Sequence, residues 1–144
     1  MRIFLDANIL FSAAKSAGAI RHLLVLLHAG GHECWIDSYV LDEARRNLAA
    51  KAPEGSAILE ALLPSLRLAT RQATDAALAA RLPLVEKDRP VLMAAIHSGC
   101  QVLITGDRTH FGKLYGKTIQ GVTVYSPSSV AEAFLADDAG PSVK

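Results

Sequence analysis

The sequence predicts an α/β fold: a parallel or mostly parallel sheet with helices on both faces. Two patterns carry that prediction. Short continuous apolar runs recur along the chain, which is how strands buried on both faces read. Between them lie stretches with apolar residues at i, i+3, i+4 and i+7, the spacing of one helix face. Strands alternating with helical stretches point to parallel strands joined by helical crossovers. The arrangement turns on the first strand, Arg2-Ile3-Phe4-Leu5, which stops at Asp6. In open α/β sheets ligands sit beyond the carboxyl ends of the strands. Asp6 is therefore offered where this class of fold keeps its chemistry.

The elements follow in order. After Asn8, residues Ile9 to Ala14 read as a helical turn, and Lys15-Ser16-Ala17-Gly18 as a loop. Ile20, Leu23, Leu24 and Leu27 share one helix face, and Gly30-Gly31 stops that helix. Glu33-Cys34-Trp35-Ile36 is a second strand, ended by Asp37-Ser38, either of which can cap the next helix. That helix buries Val40, Leu41, Ala44 and Leu48, with Glu43 at the edge of the stripe. Lys51 to Ser56 is a break. Ile58, Leu59, Leu62 and Leu63 define a further helix that ends near Pro64. Leu66 to Thr70 alternates as a third strand. Thr74 to Leu82 is a short Ala-rich helix, broken by Pro83. Asp88 followed by Pro90 is a helix-start signature, with Val91, Leu92, Ala95 and Ile96 inward and Gly99 at the end. Gln101 to Ile104 is a fourth strand, and it runs into Thr105-Gly106-Asp107. Gly121 to Tyr125 is a fifth. Ser126 opens a last helix with Val130, Ala133 and Phe134 inward. The expected organisation is one domain over residues 1–136 and a frayed tail over 137–144.

With 144 residues, 51% of them hydrophobic, the chain can bury a core and is too apolar to be disordered. Its net charge of +1 advertises no global affinity for nucleic acid, so any such contact must be local. Cys34 and Cys100 lie far apart without metal-ligand spacing and read as buried thiols in a reducing compartment. No apolar stretch reaches the ~20 residues of a bilayer span. Asp6 interrupts any signal-peptide core. The expected location is the cytoplasm, with no membrane association.

Two strands end in aspartate, Asp6 on the first and Asp107 on the fourth. If those strands are neighbours, their carboxylates converge. Asp88 begins the helix feeding the fourth strand, and Glu43 lies on the helix after the second, so all four can reach one edge. Carboxylates gathered within a few ångströms repel one another, and a divalent cation relieves the conflict. Oxygen-only donors suit Mg²⁺ or Mn²⁺ rather than zinc. Such an ion activates water and stabilises charge on a phosphoryl oxygen. Asn8 can orient Asp6 or donate to a phosphate. Each acid also has a plain structural alternative. Asp6 and Asp88 can be helix caps, Glu43 a solvated helix residue, and Asp107 a turn residue. Only their joint placement favours the metal.

Asp6-Ala7-Asn8-Ile9-Leu10, Glu43 within Val40-Leu41-Asp42-Glu43-Ala44, Asp88 before Val91-Leu92-Met93-Ala94-Ala95, and Thr105-Gly106-Asp107 before Phe111 together resemble the PIN domain. The resemblance covers nearly the whole chain. It implies a three-layer α/β/α sandwich around a parallel sheet of about five strands. It also implies a Mg²⁺- or Mn²⁺-dependent endoribonuclease that leaves a 5′-phosphate and a 3′-hydroxyl. Many such proteins are toxins of bacterial toxin–antitoxin pairs, so a small antitoxin and a homodimeric state are implied as well. Residue by residue, Asp6, Glu43, Asp88 and Asp107 match the family's catalytic acids. Asp6, Asp88 and Asp107 would hold the metal, and Glu43 would complete the site or position the attacking water. Asn8 matches the polar partner of the first acid, and Thr105 a common hydroxyl position. The chain departs from the family around the third acid. Glu86-Lys87-Asp88-Arg89-Pro90 stands there, so Glu86 can share the metal role with Asp88.

Arg108, His110 and Lys113 follow Asp107 and are candidates to meet RNA phosphates. Arg45, Arg46, Arg89 and Lys117 also flank the acids. His28 and His32 are separated by a helix break, which argues against a zinc pair. Trp35 and Phe134 read as core or interface aromatics. The alternative function is a catalytically inactive module of the same fold that binds RNA or another protein. An aspartyl phosphotransferase is disfavoured, because Asn8 stands where its second Asp belongs.

Overall fold

The computed structural model describes residues 1–70 and 75–135. Its strands are β1 (Arg2–Leu5), β2 (Glu33–Ile36), β3 (Arg67–Leu68), β4 (Val102–Ile104), β5 (Thr118–Ile119) and β6 (Val122–Tyr125). They form one sheet in the order β3-β2-β1-β4-β6-β5. Every pairing is parallel except that of β5 with β6. β1 lies between β2 and β4, and its Ile3, Phe4 and Leu5 are fully buried. A continuous apolar run is what such a central strand requires.

The sheet thus has one strand more than expected. β5 is a two-residue antiparallel partner joined to β6 through Gln120-Gly121, both at positive φ (50° and 85°). That is the backbone of a tight two-residue hairpin, where glycine is at ease. Two residues carry no readable period, so nothing in Thr118-Ile119 announced a strand. The third strand is shorter than expected, with only Arg67 and Leu68 paired to β2. It is the free edge of the sheet, and Leu68 is 63% exposed.

The helices divide into two groups. α1 (Ala7–Lys15) follows Asp6 directly and is a full helix rather than a single turn. It buries Ile9, Leu10, Ala13 and Ala14. Around it pack α2 (Ala19–Ala29), α3 (Ser38–Lys51) and α4 (Ser56–Leu62). The expected break before α4 is a 3₁₀ turn over Pro53–Gly55. A Cβ on Gly55 would stand 2.9 Å from Leu48 Cδ2 and 3.0 Å from the Ala14 carbonyl, so this approach to α1 and α3 needs glycine. The second group starts with α5 (Ala76–Arg81) against α6 (Arg89–His97), which lies on β4 and β6. α7 (Arg108–Phe111) is one turn, and α8 (Pro127–Phe134) covers β6 and packs against α2 of the first group. Val130 is the buried residue of α8, while Ala133 is exposed rather than inward. Ile96 is half-buried. Thr74, where the Ala-rich helix was expected to begin, and the expected tail lie outside the described residues.

Cys34 and Cys100 are free and buried. Burial pushes their thiols up to about 11 and about 12, so neither ionises near neutrality. Among the described residues no single helix is long and apolar enough to cross a membrane. From β1 the chain builds β2 and β3 on one side, then crosses to β4 and β6 on the other. The reversal falls between β1 and β4, and a crevice at the carboxyl ends of those strands follows from it.

Candidate active site

Strand register decides which residues meet at that crevice. Leu5 pairs with Ile104, so Asp6 falls beside Thr105. The ladder continues one step beyond the strands, with Asp6 N–H donating to Ile104 O at 3.1 Å and Thr105 N–H to Tyr125 O at 3.0 Å. The Thr105 hydroxyl then donates to Asp6 Oδ2 at 2.8 Å. Asp6 Oδ1 accepts from Ala7 N–H at 2.7 Å, so the carboxylate is also the N-cap of α1. Asn8, two residues into the chain beyond it, donates from Nδ2 to Asp6 Oδ2 at 3.2 Å and accepts from Gly106 N–H at 2.8 Å. Asp107 caps α7 by accepting from His110 N–H at 3.1 Å, and its Oδ2 meets His110 Nδ1 at 2.6 Å.

A cleft of about 280 Å³ opens here, and Asp6, Glu43, Asp88 and Asp107 all line it. Each comes from a different segment. Glu43 reaches it because Asp37 caps α3 through Val40 N–H at 3.0 Å. That start turns Tyr39 and Glu43, four residues apart, to the same face, and both line the cleft. Asp88 arrives from the 3₁₀ turn Glu86–Asp88, with Pro90 in the first turn of α6. Its side chain makes no capping bond, contrary to the plain structural reading of that residue. Glu86 is exposed and, unlike Asp88, does not line the cleft.

The acids differ in their surroundings. Asp6 is 6% exposed. Burial raises its pKa from the ordinary 3.8, the bonds from Thr105, Ala7 and Asn8 oppose that, and the charge of Glu43 adds to it. Burial also raises Asp107, but its bonds from His110 outweigh this and hold the carboxyl below 3.8. Tyr39 stands in the same field. Burial and the charges of Glu43, Asp6 and Asp88 raise its phenol, with Arg46 opposing. Among the described residues neither the Glu43 nor the Asp88 carboxylate accepts a hydrogen bond or forms an ion pair.

Four carboxylates with a like-charge conflict suit a hard divalent cation in kind. The fit is one of donor chemistry and not of a finished cage. Among the described residues no group of three or more His, Cys, Asp or Glu side chains is arranged to hold a metal ion. Asp6 and Asp107 are fixed by their bonds, so Glu43 and Asp88 are the side chains left to close on an ion.

Of the basic residues, His110 lines the cleft, and so does Lys87, which the sequence did not single out. Arg108 and Lys113 are exposed and outside the lining. Arg45 is engaged by Glu60 at 2.8 Å, and Arg89 donates to the Leu84 carbonyl at 2.8 Å. Tyr39 also escaped the sequence reading. An aromatic four residues before an acid on a helix was the available signal.

A doubly wound sheet with carboxylates collected at its switch point defines a class of α/β proteins that hold their ligands at the carboxyl edge. A model of the PIN domain matches residues 2–109, and the chain belongs to the PIN-domain family. The matched span takes in all four acids and stops just before His110. Among solved structures, one chain in the crystal structure of VapBC2 from Rickettsia felis bound to a DNA fragment from their promoter shares the fold. The TM-score is 0.66 at 18% identity, over 88% of this chain and 98% of that one. No curated protein matches the chain.

Proposed function

We propose that this chain is a Mg²⁺- or Mn²⁺-dependent endoribonuclease and the toxin component of a toxin–antitoxin pair. One observation carries the reading: four carboxylates from four separate segments line one cleft beside the β1–β4 junction. Family membership supports nuclease chemistry, since PIN domains are generally nucleases. An antitoxin partner is supported by the shared fold with a chain of VapBC2. A homodimeric state and a cytoplasmic location belong to the same proposal.

A bound divalent ion supplies an activated water and stabilises charge on the phosphoryl oxygen. Asp6, Asp88 and Asp107 are the residues to hold it, directly or through water. Asp6 presents its carboxylate in one orientation because Ala7, Asn8 and Thr105 leave it no other. Glu43, half-buried and unpartnered among the described residues, positions the attacking water. Lys87 and His110 meet RNA phosphates inside the cleft, and Arg108 and Lys113 outside it. Purified protein should cleave RNA with Mg²⁺ or Mn²⁺ and stop on addition of EDTA. RNA left intact under every divalent metal would turn the reading to a catalytically inactive module that binds RNA or another protein. The unfinished cage is the observation that favours this second reading.

A further inference from the structure

We propose that Tyr115 is a positioning residue: its hydroxyl fixes the turn from Thr105 to Asp107 and thereby sets the spacing of Asp6 and Asp107. The consequence for metal binding rests on the metal-dependent reading above.

Among the described residues, Thr105 is the one hydrogen-bonded to both Asp6 and Asp107. Its hydroxyl donates to Asp6 Oδ2 at 2.8 Å and accepts from Asp107 N–H at 3.1 Å. A third contact comes from Asn8 Nδ2 at 3.4 Å. A hydroxyl has one proton and two lone pairs, so these contacts saturate it. The backbone N–H of Thr105 is taken by Tyr125 O. What remains is the Thr105 carbonyl, and Tyr115 Oη donates to it at 2.8 Å.

That bond acts on a single peptide plane. The Thr105 carbonyl is one end of the plane and the Gly106 N–H is the other. Tyr115 holds the first, and Asn8 Oδ1 accepts from the second at 2.8 Å. A Cβ on Gly106 would stand 3.3 Å from Asn8 Oδ1, so the close approach favours glycine. Glycine also brings backbone freedom to the link between the two acids. Pinning the plane at both ends removes it. Tyr115 is itself anchored, since it bridges to Val124 in parallel fashion and follows the 3₁₀ turn Gly112–Leu114. Burial raises its phenol pKa and Arg108 lowers it, while the charges of Asp107 and Asp6 both raise it, as expected for a hydroxyl close to each. The family match ends at residue 109, so Tyr115 lies beyond the matched span.

The test is Tyr115→Phe, which keeps the ring and removes the hydroxyl, with Tyr125→Phe as control. Amide hydrogen exchange is measured without metal, and Mn²⁺ affinity by electron paramagnetic resonance. Tyr115→Phe should speed exchange at Gly106 and Asp107 by about 10-fold or more, with Phe4 and Leu103 unchanged. It should weaken Mn²⁺ binding by about 10-fold, at the low end for loss of an outer partner. Tyr125→Phe should change neither. Unchanged Gly106 and Asp107 rates with unchanged Mn²⁺ affinity overturn the proposal. So does uniform loss of protection through β1 and β4, which would make Tyr115 a general structural residue. If the wild type takes up no Mn²⁺, the metal-dependent reading falls, and the exchange rates alone decide whether Tyr115 fixes the turn.

Discussion

The two edges of the sheet treat charge in opposite ways. At the edge where the strands begin, charges are matched. Glu33 bridges to both Arg2 and Arg67 at 3.5 Å, and Arg2 lies over the Trp35 ring at 4.9 Å. Arg2 also donates to the Ser98 carbonyl at 3.0 Å. A cleft of about 420 Å³, larger than the acidic one, opens there, and among the described residues Glu33 is its single carboxylate, already paired. At the edge where the strands end, four carboxylates share the smaller cleft. No arginine pairs with any of them among the described residues, and neutral donors hold Asp6. Size does not mark the edge proposed as functional. Carboxylates without a cationic partner do, namely Asp6, Glu43 and Asp88 among the described residues, while Asp107 meets His110 at 2.6 Å.

The largest test of this contrast is at Asp6. Asp6→Ala should lower RNA cleavage by more than about 100-fold, since even outer partners of a metal site cost 10–100-fold. Circular dichroism should show the variant folded. Cleavage at the wild-type rate would place the chemistry elsewhere.

Next comes relief of the charge by a cation. Mn²⁺ at a hundred times its Kd should stabilise the protein by about 2.7 kcal/mol, read as a rise in Tm. Asp107→Asn should shrink that rise, and an equal rise in the variant would mean that the ion binds somewhere else.

Acidity gives a smaller effect with a definite sign. Asp6 is raised above 3.8, so the native state keeps a proton there that the unfolded chain has released. Its contribution to stability is complete below 3.8 and is lost as pH rises through the raised value. Asp107 is lowered, so its contribution is present above 3.8 and is lost as pH falls through the lowered value. Melting in EDTA across this range should show both slopes, and Asp6→Asn should abolish the first. A slope unaltered in Asp6→Asn would assign it to another group.

The smallest effect belongs to the matched edge. Glu33→Gln should cost about 0–1 kcal/mol, because its partners are exposed and keep their water. RNA cleavage should be unchanged, and a cleavage defect would contradict the division between the edges.

Much of this was legible because it depends on local chemistry. The apolar run Ile3-Phe4-Leu5 ending at Asp6 marks a buried strand and its carboxyl end. Glu33 to Ile36 and the stripe Val40, Leu41, Ala44 and Leu48 came out as read. The four acids are visible as residues that interrupt or flank apolar elements. β5 was not legible, since two residues held by a hairpin have no pattern of their own. The partners of the flanking cations were not legible for a related reason. Arg45 and Arg89 flank acids in sequence, yet they answer to Glu60 and the Leu84 carbonyl in space. Lys87, passed over, faces the cleft.

The sequence by itself determined the element types and the four acids, since apolar periodicity and strand-end polarity are local properties. Tertiary structure alone decided that β1 lies beside β4 in a register that sets Thr105 against Asp6. It alone decided that a tyrosine ten residues further on closes over the same turn. The contact of Asp6 with Thr105 joins parts of the chain about a hundred residues apart, and pairing of that range is set by the packing of the whole sheet.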